Sequence, residues 1–371
     1  MEITAKITGI EYKPVLISKL SEFNYNKSNF FNNFDVNKLP SCCMVNFDNF
    51  SFGLSKWVSP KRTRSYPYER VYNTLGCSKR ITIIPVIKDE GKNGDRDFIQ
   101  WDTISLMSLL DVYIVFTYYN DAEINYKKEN KITKQKYCNE LVKQKIDEIK
   151  NYHSSALHWN LKEIDESFDK LIEKVKQSYQ ILSNKLNIDF HNESGIDNYY
   201  EQFHKGVEEF KSFSRRKAKG AQNRESLTIQ PKEALSTLSK ATITIKNYLG
   251  GIYYFTVDEI KIVNDNIFLI ETKHSNRSLI PSARDIKDGL LKMILFTNLK
   301  DIKILTKKYK STPILKLTSS KLTKGITSNN SDVVFQKFKK DNNLTYKQGV
   351  LINNLLEEAR YNSFKLIIEN Y

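Results

Sequence analysis

An α/β fold is predicted for this chain by three observations. Arg80–Lys88 and Val112–Tyr119 are apolar, β-branched runs flanking an amphipathic stretch at Phe98–Leu110, the pattern of one β-α-β unit with parallel pairing. Tyr253–Val257 and Ile267–Ile270 are two further β-rich runs divided by the polar turn Asn264-Asp265-Asn266, which reads as a hairpin or meander. At 371 residues the chain can bury a large core and divide into two or three domains.

Composition narrows the partners. The formal net charge is +15. Such an excess favours a polyanion such as DNA or RNA, although charge speaks to association and not to fold. Four cysteines, Cys42, Cys43, Cys77 and Cys138, show no Cys-x-x-Cys spacing, so a zinc site is not expected and reduced thiols are. Met1-Glu-Ile-Thr-Ala-Lys6 lacks an apolar signal core, and the longest apolar run, Ile104–Tyr119, is broken by Asp111. A cytoplasmic, prokaryotic-type location is the expectation.

In chain order, residues 1–50 read as loops and short strands. Ser55–Tyr72 interleaves Lys56, Lys61, Arg62, Arg64 and Arg70 with Trp57, Tyr66 and Tyr68. Basic side chains among aromatics suit a loop that meets phosphates and stacks on bases; a surface loop with tyrosine anchors has the same composition. After the first strand, Asp89, Glu90, Asp95 and Asp97, with Asp102 one turn into the helix, form a rival metal-ligand group. We favour helix-capping acids in a glycine-containing turn, because Val112–Tyr119 carries no Glu-x-Lys.

From Lys127 to Ile188 the spacing of Leu161, Ile164, Phe168, Leu171, Val175 and Leu182 predicts helix, a helical arm whose stripe could meet a second copy or its own domain. His153 and His158 lie five apart, off the spacing of helical metal ligands, and read as structural. Residues 205–246 carry ten Lys or Arg against four acids, densest at Ser214–Arg224, where Arg215, Arg216, Lys217 and Arg224 are candidate DNA contacts. Residues 303–340 hold ten lysines and one acid, and Lys307 and Lys308 are candidate phosphate contacts. Lys321–Asp332 reads as a loop, and Tyr346–Tyr371 as a helix followed by a short apolar end.

The segment that carries chemistry is Tyr253–Lys273. Strand alternation puts Glu271 and Lys273 on one side and Thr272 on the other, while Asp258, thirteen positions earlier, heads the preceding strand. Asp258…Glu271-Thr-Lys273 resembles the PD-(D/E)XK nuclease signature, with Val257 where the family has proline. That family's core is a helix, a three-stranded meander, a helix and a strand, and Lys232–Tyr248, Ile252–Lys273, Ala283–Leu299 and Ile302–Thr306 offer this order.

The resemblance implies a PD-(D/E)XK core, a mixed central sheet flanked by helices, accompanied by an N-terminal α/β region and a helical arm. The domains expected are 1–135 for DNA recognition, 136–204 for the arm and 205–371 for catalysis. It further implies a type II restriction endonuclease that cleaves double-stranded DNA to leave 5′-phosphates. Asp258, Glu271 and the Thr272 carbonyl would hold Mg²⁺, Lys273 would position the attacking water, and His274 and Ser275 would lie beside the phosphate. Glu225 or Glu233 is a further acid of the kind some relatives take from the first core helix. A palindromic target implies a homodimer, and a restriction system implies a cognate methyltransferase. The alternatives are a non-catalytic basic DNA-binding protein and a structure-selective or RNA nuclease.

Overall fold

The structure, a computed structural model, describes residues 2–61, 67–204, 241–247 and 252–371. The chain forms two compact units, one of Lys19–Arg216 and one joining Met1–Ser18 to Lys217–Tyr371. Division at 135 and 204 was expected; instead the helices beyond 138 pack into the same unit as the strands before them, and the first strand, β1 (Glu2–Ile7), belongs to the C-terminal unit.

The Lys19–Arg216 unit begins with β2 (Glu22–Tyr25), α1 (Lys27–Asn33) and the hairpin β3 (Cys42–Phe47) to β4 (Phe50–Lys56), turned at Asp48 with φ 52°. Next come α2 (Pro67–Asn73), β5 (Arg80–Pro85) and the small ribbon β6 (Ile87–Asp89) with β7 (Arg96–Phe98). Then α3 (Trp101–Leu109) crosses over to β8 (Tyr113–Thr117), which pairs parallel to β5, as the β-α-β pattern predicts. The sheet order is β2-β3-β4-β5-β8.

Lys127–Tyr137 is not helical. It contributes to an antiparallel ribbon of β9 (Tyr119–Ile124) and β10 (Ile132–Tyr137), whose alternating Thr133, Gln135 and Tyr137 suit a strand. Helix begins at α4 (Asn139–Lys150), followed by the 31-residue α5 (Ala156–Leu186) and by α6 (Ser194–His204). The stripe Ile164, Phe168, Leu171, Val175 and Leu182 is buried within this unit against β8 and β9. Of the two uses open to this stripe, a second copy or its own domain, the structure shows the second. Thr117 and Ser178 are enclosed with it, Ser178 Oγ donating to the Tyr119 carbonyl at 2.6 Å.

In the other unit β11 (Ala241–Asn247) runs parallel to β1, and β12 (Ile252–Val257) runs antiparallel to β11. Residues 241–247 were expected in a first core helix. Ala241-Thr-Ile-Thr-Ile245 instead alternates a β-branched pattern that buries Ala241, Ile243 and Ile245. The chain bends at Asp258 into β13 (Glu259–Val263), which pairs with β14 (Asn266–Ser275) across the Asn264 turn, φ 56°. Asparagine tolerates that left-handed backbone.

Next, α7 (Ala283–Thr297) starts after Pro281, where the Ser282 hydroxyl accepts from the Asp285 N–H at 3.2 Å. It leads to β15 (Lys300–Ile304) and the long β16 (Lys307–Ser319). The strand expected at Ile302–Thr306 is β15, which turns back antiparallel onto β16, and β16 lies parallel to β14. After β17 (Ile326–Thr327), α8 (Asp332–Asp341) and α9 (Tyr346–Tyr361), the apolar end is β18 (Lys365–Asn370), parallel to β16. The sheet path is β12-β11-β1-β15-β16-β14-β13, with β18 on β16. Residues 9–18 are tied into this unit by the buried Glu358 carboxylate, which accepts from the Val15 and Leu16 N–H groups and the Tyr12 hydroxyl.

Candidate functional site

β13 stops where Glu259 faces Ile270, so β14 runs on beyond its hairpin partner. There the Asp258 carboxylate takes over the free edge: its Oδ2 accepts the Thr272 N–H at 2.8 Å. In an extended strand the N–H and C=O of one residue share an edge, so the Thr272 carbonyl faces the Asp258 side too. Glu271 and Lys273 lie on the face covered by α7, with Leu315 and Leu317 beside them on β16. α7 comes close because Gly289 has no side chain; a Cβ there would meet Leu315 Cδ1 at 2.9 Å and Lys273 Cε at 3.3 Å.

From α7 two further groups enter. Lys292 Nζ stands 2.8 Å from Glu271 Oε2, and Lys273 Nζ stands 3.0 Å from Glu271 Oε1 and 3.4 Å from Asp288 Oδ2. Glu271 is 1% exposed. Three carboxylates and two ammoniums thus share a largely buried space. Burial pushes the Asp258 carboxyl up to about 6, with the Glu271 charge adding to it against Lys292 and the Thr272 N–H. For Glu271 burial acts the same way but is outweighed by Lys292 and Lys273, which hold it below the usual carboxylate range. Burial opposes charge on both lysines, yet Glu271 together with Asp288 (at Lys273) and Asp258 (at Lys292) keeps them above their ordinary range. Asp288 is raised, chiefly by burial.

The donor types here, carboxylate oxygens and a strand carbonyl, suit a hard divalent cation. The arrangement is not a preformed cage, since both Glu271 oxygens carry an ammonium. Among the described residues no group of three or more His, Cys, Asp or Glu side chains is gathered to hold a metal ion.

The structure brings Asp258, Glu271, Thr272 and Lys273 together. Asp288 was missed by sequence reasoning, which gave Lys292 no role either. Their signal is an Asp-x-x-x-Lys spacing that puts both on one helix face. Lys287, the other helix lysine, points elsewhere and donates to Ser18 Oγ. His274 is a correction: alternation sends it to the opposite face, where Nδ1 lies 2.9 Å from Thr318 Oγ1 and the ring packs on Tyr371. Ser275 Oγ is bonded to Ser278 Oγ at 2.7 Å.

The acids at 89–97 disperse to separate partners. Asp89 meets His191 Nδ1 at 2.8 Å, Glu90 meets Lys88 and Lys131, and Asp97 meets Ser59 Oγ and Lys61 Nζ, both at 2.7 Å. Lys61 is therefore ion-paired, while Arg62 and Arg64 lie outside the described residues. Trp57 and Tyr68 are buried, so they pack the unit and do not present base-stacking faces. Arg215, Arg216, Lys217, Arg224, Glu225 and Glu233 also lie outside the described residues. Lys307 pairs with Asp265 at 3.0 Å, and Lys308 is exposed.

His158 Nδ1 bonds the Tyr152 hydroxyl. The cysteines are free thiols, and no described helix is long and apolar enough to cross a membrane. Comparison with protein-family models, curated proteins and solved structures found no match to this chain.

Proposed function

We propose that the chain is a Mg²⁺-dependent DNA endonuclease of the PD-(D/E)XK type, a type II restriction enzyme cutting double-stranded DNA at a specific short site. The observation that carries this reading is the convergence of Asp258, Glu271 and Lys273 where β14 outruns its hairpin, with Asp258 bound to the Thr272 amide. Asp258, Glu271 and the Thr272 carbonyl would hold the cation. Once bound, it supplies a more acidic water and a counter-charge for the phosphodiester. The chain's own residues do the rest. Asp258 would bind as the carboxylate, the form that prevails above pH about 6, Lys273 would stay cationic and orient a water or a phosphate oxygen, and Lys292 would neutralise Glu271 when no cation is bound. Asp288 then offers Lys273 a second acceptor. The lysine-rich stretches supply the electrostatic attraction for the DNA backbone. A palindromic target would engage two copies, through a surface other than the α5 stripe, and a methyltransferase would protect the host's own sites.

The pairing of both Glu271 oxygens with lysines favours a second reading, a non-catalytic basic DNA-binding protein in which this cluster is a self-neutralised structural network. Incubation with a mixed-sequence plasmid and Mg²⁺, followed by sequencing of the ends, separates the two. Cuts at one defined sequence, lost in Asp258→Ala and Glu271→Ala, support the nuclease. Intact plasmid at all divalent-metal concentrations, with binding retained, supports the second reading. Cleavage that persists in Glu271→Ala refutes the proposed centre.

A further inference from the structure

Beyond β16 the lysine-rich stretch contains a helix pair to which the nuclease reading gives no particular role. α8 ends in a Schellman turn: the Asn343 N–H donates to the Lys340 carbonyl at 3.1 Å and the Leu344 N–H to the Lys339 carbonyl at 3.0 Å. Asn343 supplies the left-handed backbone this turn needs, φ 49°. α9 starts at once. The Thr345 hydroxyl accepts the Gln348 N–H at 3.3 Å, and Gln348 Oε1 accepts the Thr345 N–H at 2.9 Å, a reciprocal cap. Only residues 342–345 separate the helices. The buried Asn342 amide pins that turn, donating to the Phe338 and Lys324 carbonyls and accepting from the Thr323 N–H. Gly349 lets α9 lie against α8, since a Cβ there would meet Lys339 Cδ at 3.2 Å.

Packing gives the pair an inner and an outer face. Phe335 and Phe338 of α8 and Gly349, Ile352 and Leu355 of α9 are buried. Outward stand Tyr346, 87% exposed, with Lys347 and Val350 exposed and Asn354 half-buried. Positions 347, 350 and 354 share one helix face. The Asn354 amide has no hydrogen-bond partner among the described residues. Lys321, Lys324, Lys337 and Lys340 are exposed, and Lys337 and Lys340 lie one turn apart on α8. Among the described residues no carboxylate pairs with these four or with Lys347, although Asp332 and Asp341 lie on the same helix as two of them. Glu357, further along α9, accepts from the Asn353 amide at 3.1 Å and ends the basic surface. Residues 321–350 carry six lysines against two acids, so this surface calls for an anionic partner.

We propose that α8 and α9 form a helix-turn-helix that reads duplex DNA, the outer face of α9 entering the major groove and Lys321, Lys324, Lys337 and Lys340 meeting the flanking phosphates. The major groove of DNA admits one α-helix, and a short, fixed turn is what holds the second helix of such a pair in it. The side chains on that helix match base edges. Lys347 donates to guanine O6 and N7, the Asn354 amide pairs with adenine, and Val350 meets a thymine methyl. An RNA duplex would satisfy the lysines equally, but its deep, narrow major groove excludes a helix. The inference rests on the proposed function for DNA as the partner and not on the metal centre.

Selection by gel shift from a pool of random-sequence DNA duplexes, with the full chain in EDTA, tests it. The wild type should enrich a motif. Lys347→Ala/Asn354→Ala should lose the preference at positions within that motif, binding the selected sequence about tenfold or more weakly while its affinity for unselected DNA changes little. Lys337→Ala/Lys340→Ala should instead weaken every sequence alike and flatten the log–log salt slope by about two. A thermal melt accompanies each variant, and Lys347→Ala alone, at an exposed position, repeats the test if the double variant melts early. The proposal is overturned by a wild type that binds no duplex or all duplexes alike, or by a motif unchanged in the α9 variant. A salt slope unchanged in the α8 variant, or tighter binding to the matching RNA duplex, overturns it too. Plasmid cleavage in Mg²⁺ is scored separately. An enriched motif without cleavage sinks the nuclease reading alone, and cleavage at a motif that the α9 variant leaves unchanged sinks this inference alone.

Discussion

At the scale of single residues, the site is governed by how charge is shared in a space that excludes water. Glu271 is buried and ionised because two lysines face its two oxygens. Removing one partner of such a group leaves a buried charge uncompensated, at a cost of about 3–5 kcal/mol. Lys292→Met is therefore expected to lower the melting temperature in EDTA, and a divalent cation should restore part of the loss if Glu271 binds it; Ca²⁺ titrated during a thermal melt checks both. Glu271→Ala should abolish plasmid cleavage and leave DNA binding intact, read by gel shift. Lys56 poses a separate problem of sign. Its folded value of about 8 lies below the ordinary 10.5, so folding expels its proton and charged Lys56 opposes the fold. The penalty is fully present below pH 8 and disappears as pH rises toward 10.5. Relative to Lys56→Met, the wild type should gain up to about 3 kcal/mol across that window, measured by denaturation at each pH.

At the scale of elements, α7 is the part that completes the site. Its Asp288 and Lys292 reach β14 because Gly289 lets the helix approach Leu315 and Lys273. A bulkier residue at 289 must displace a buried leucine methyl and the Lys273 stem. Gly289→Val should cost about 1–3 kcal/mol by overpacking, more than any gain in helix propensity over glycine, and should reduce cleavage further than stability alone accounts for. A chemical melt with parallel activity assays at a temperature well below unfolding separates the two effects.

At the scale of the whole molecule, charge and connectivity set the expectations. A net charge of +15 predicts DNA binding that weakens steeply with salt. Replacing Arg215, Arg216 and Lys217 together should flatten the log–log slope by about two to three if each neutralises one phosphate. An unchanged slope would place them on a solvated face. Connectivity makes a sharper demand. β1 lies between β11 and β15 and buries Ile3, Ala5 and Ile7, so the C-terminal unit draws an inner strand from the far end of the chain. A fragment of 217–371 should fail to give a cooperative melt, and adding residues 1–18 should restore one.

The sequence by itself determined the strongly patterned features. The β-α-β unit at 80–117, the hairpin around Asn264, the capped helix from Ala283 and the amphipathic stripe of α5 were legible, because each follows from local periodicity and turn chemistry. So was the meeting of Glu271 with Lys273, which strand alternation dictates. Tertiary structure decided what those features face. Residues 241–247 are a strand because β1, over two hundred residues earlier, pairs with them; nothing local announces that partner. β16 and not β15 lies beside β14, since the choice between two adjacent β-rich runs is made by hydrogen bonding across the sheet. Asp288 joins the cluster only because α7 packs on that face at a glycine, and Asp89, Glu90 and Asp97 scatter because each finds its own cation, hydroxyl or imidazole. Sequence spacing fixes which side chains share a face, and long-range packing fixes what that face meets.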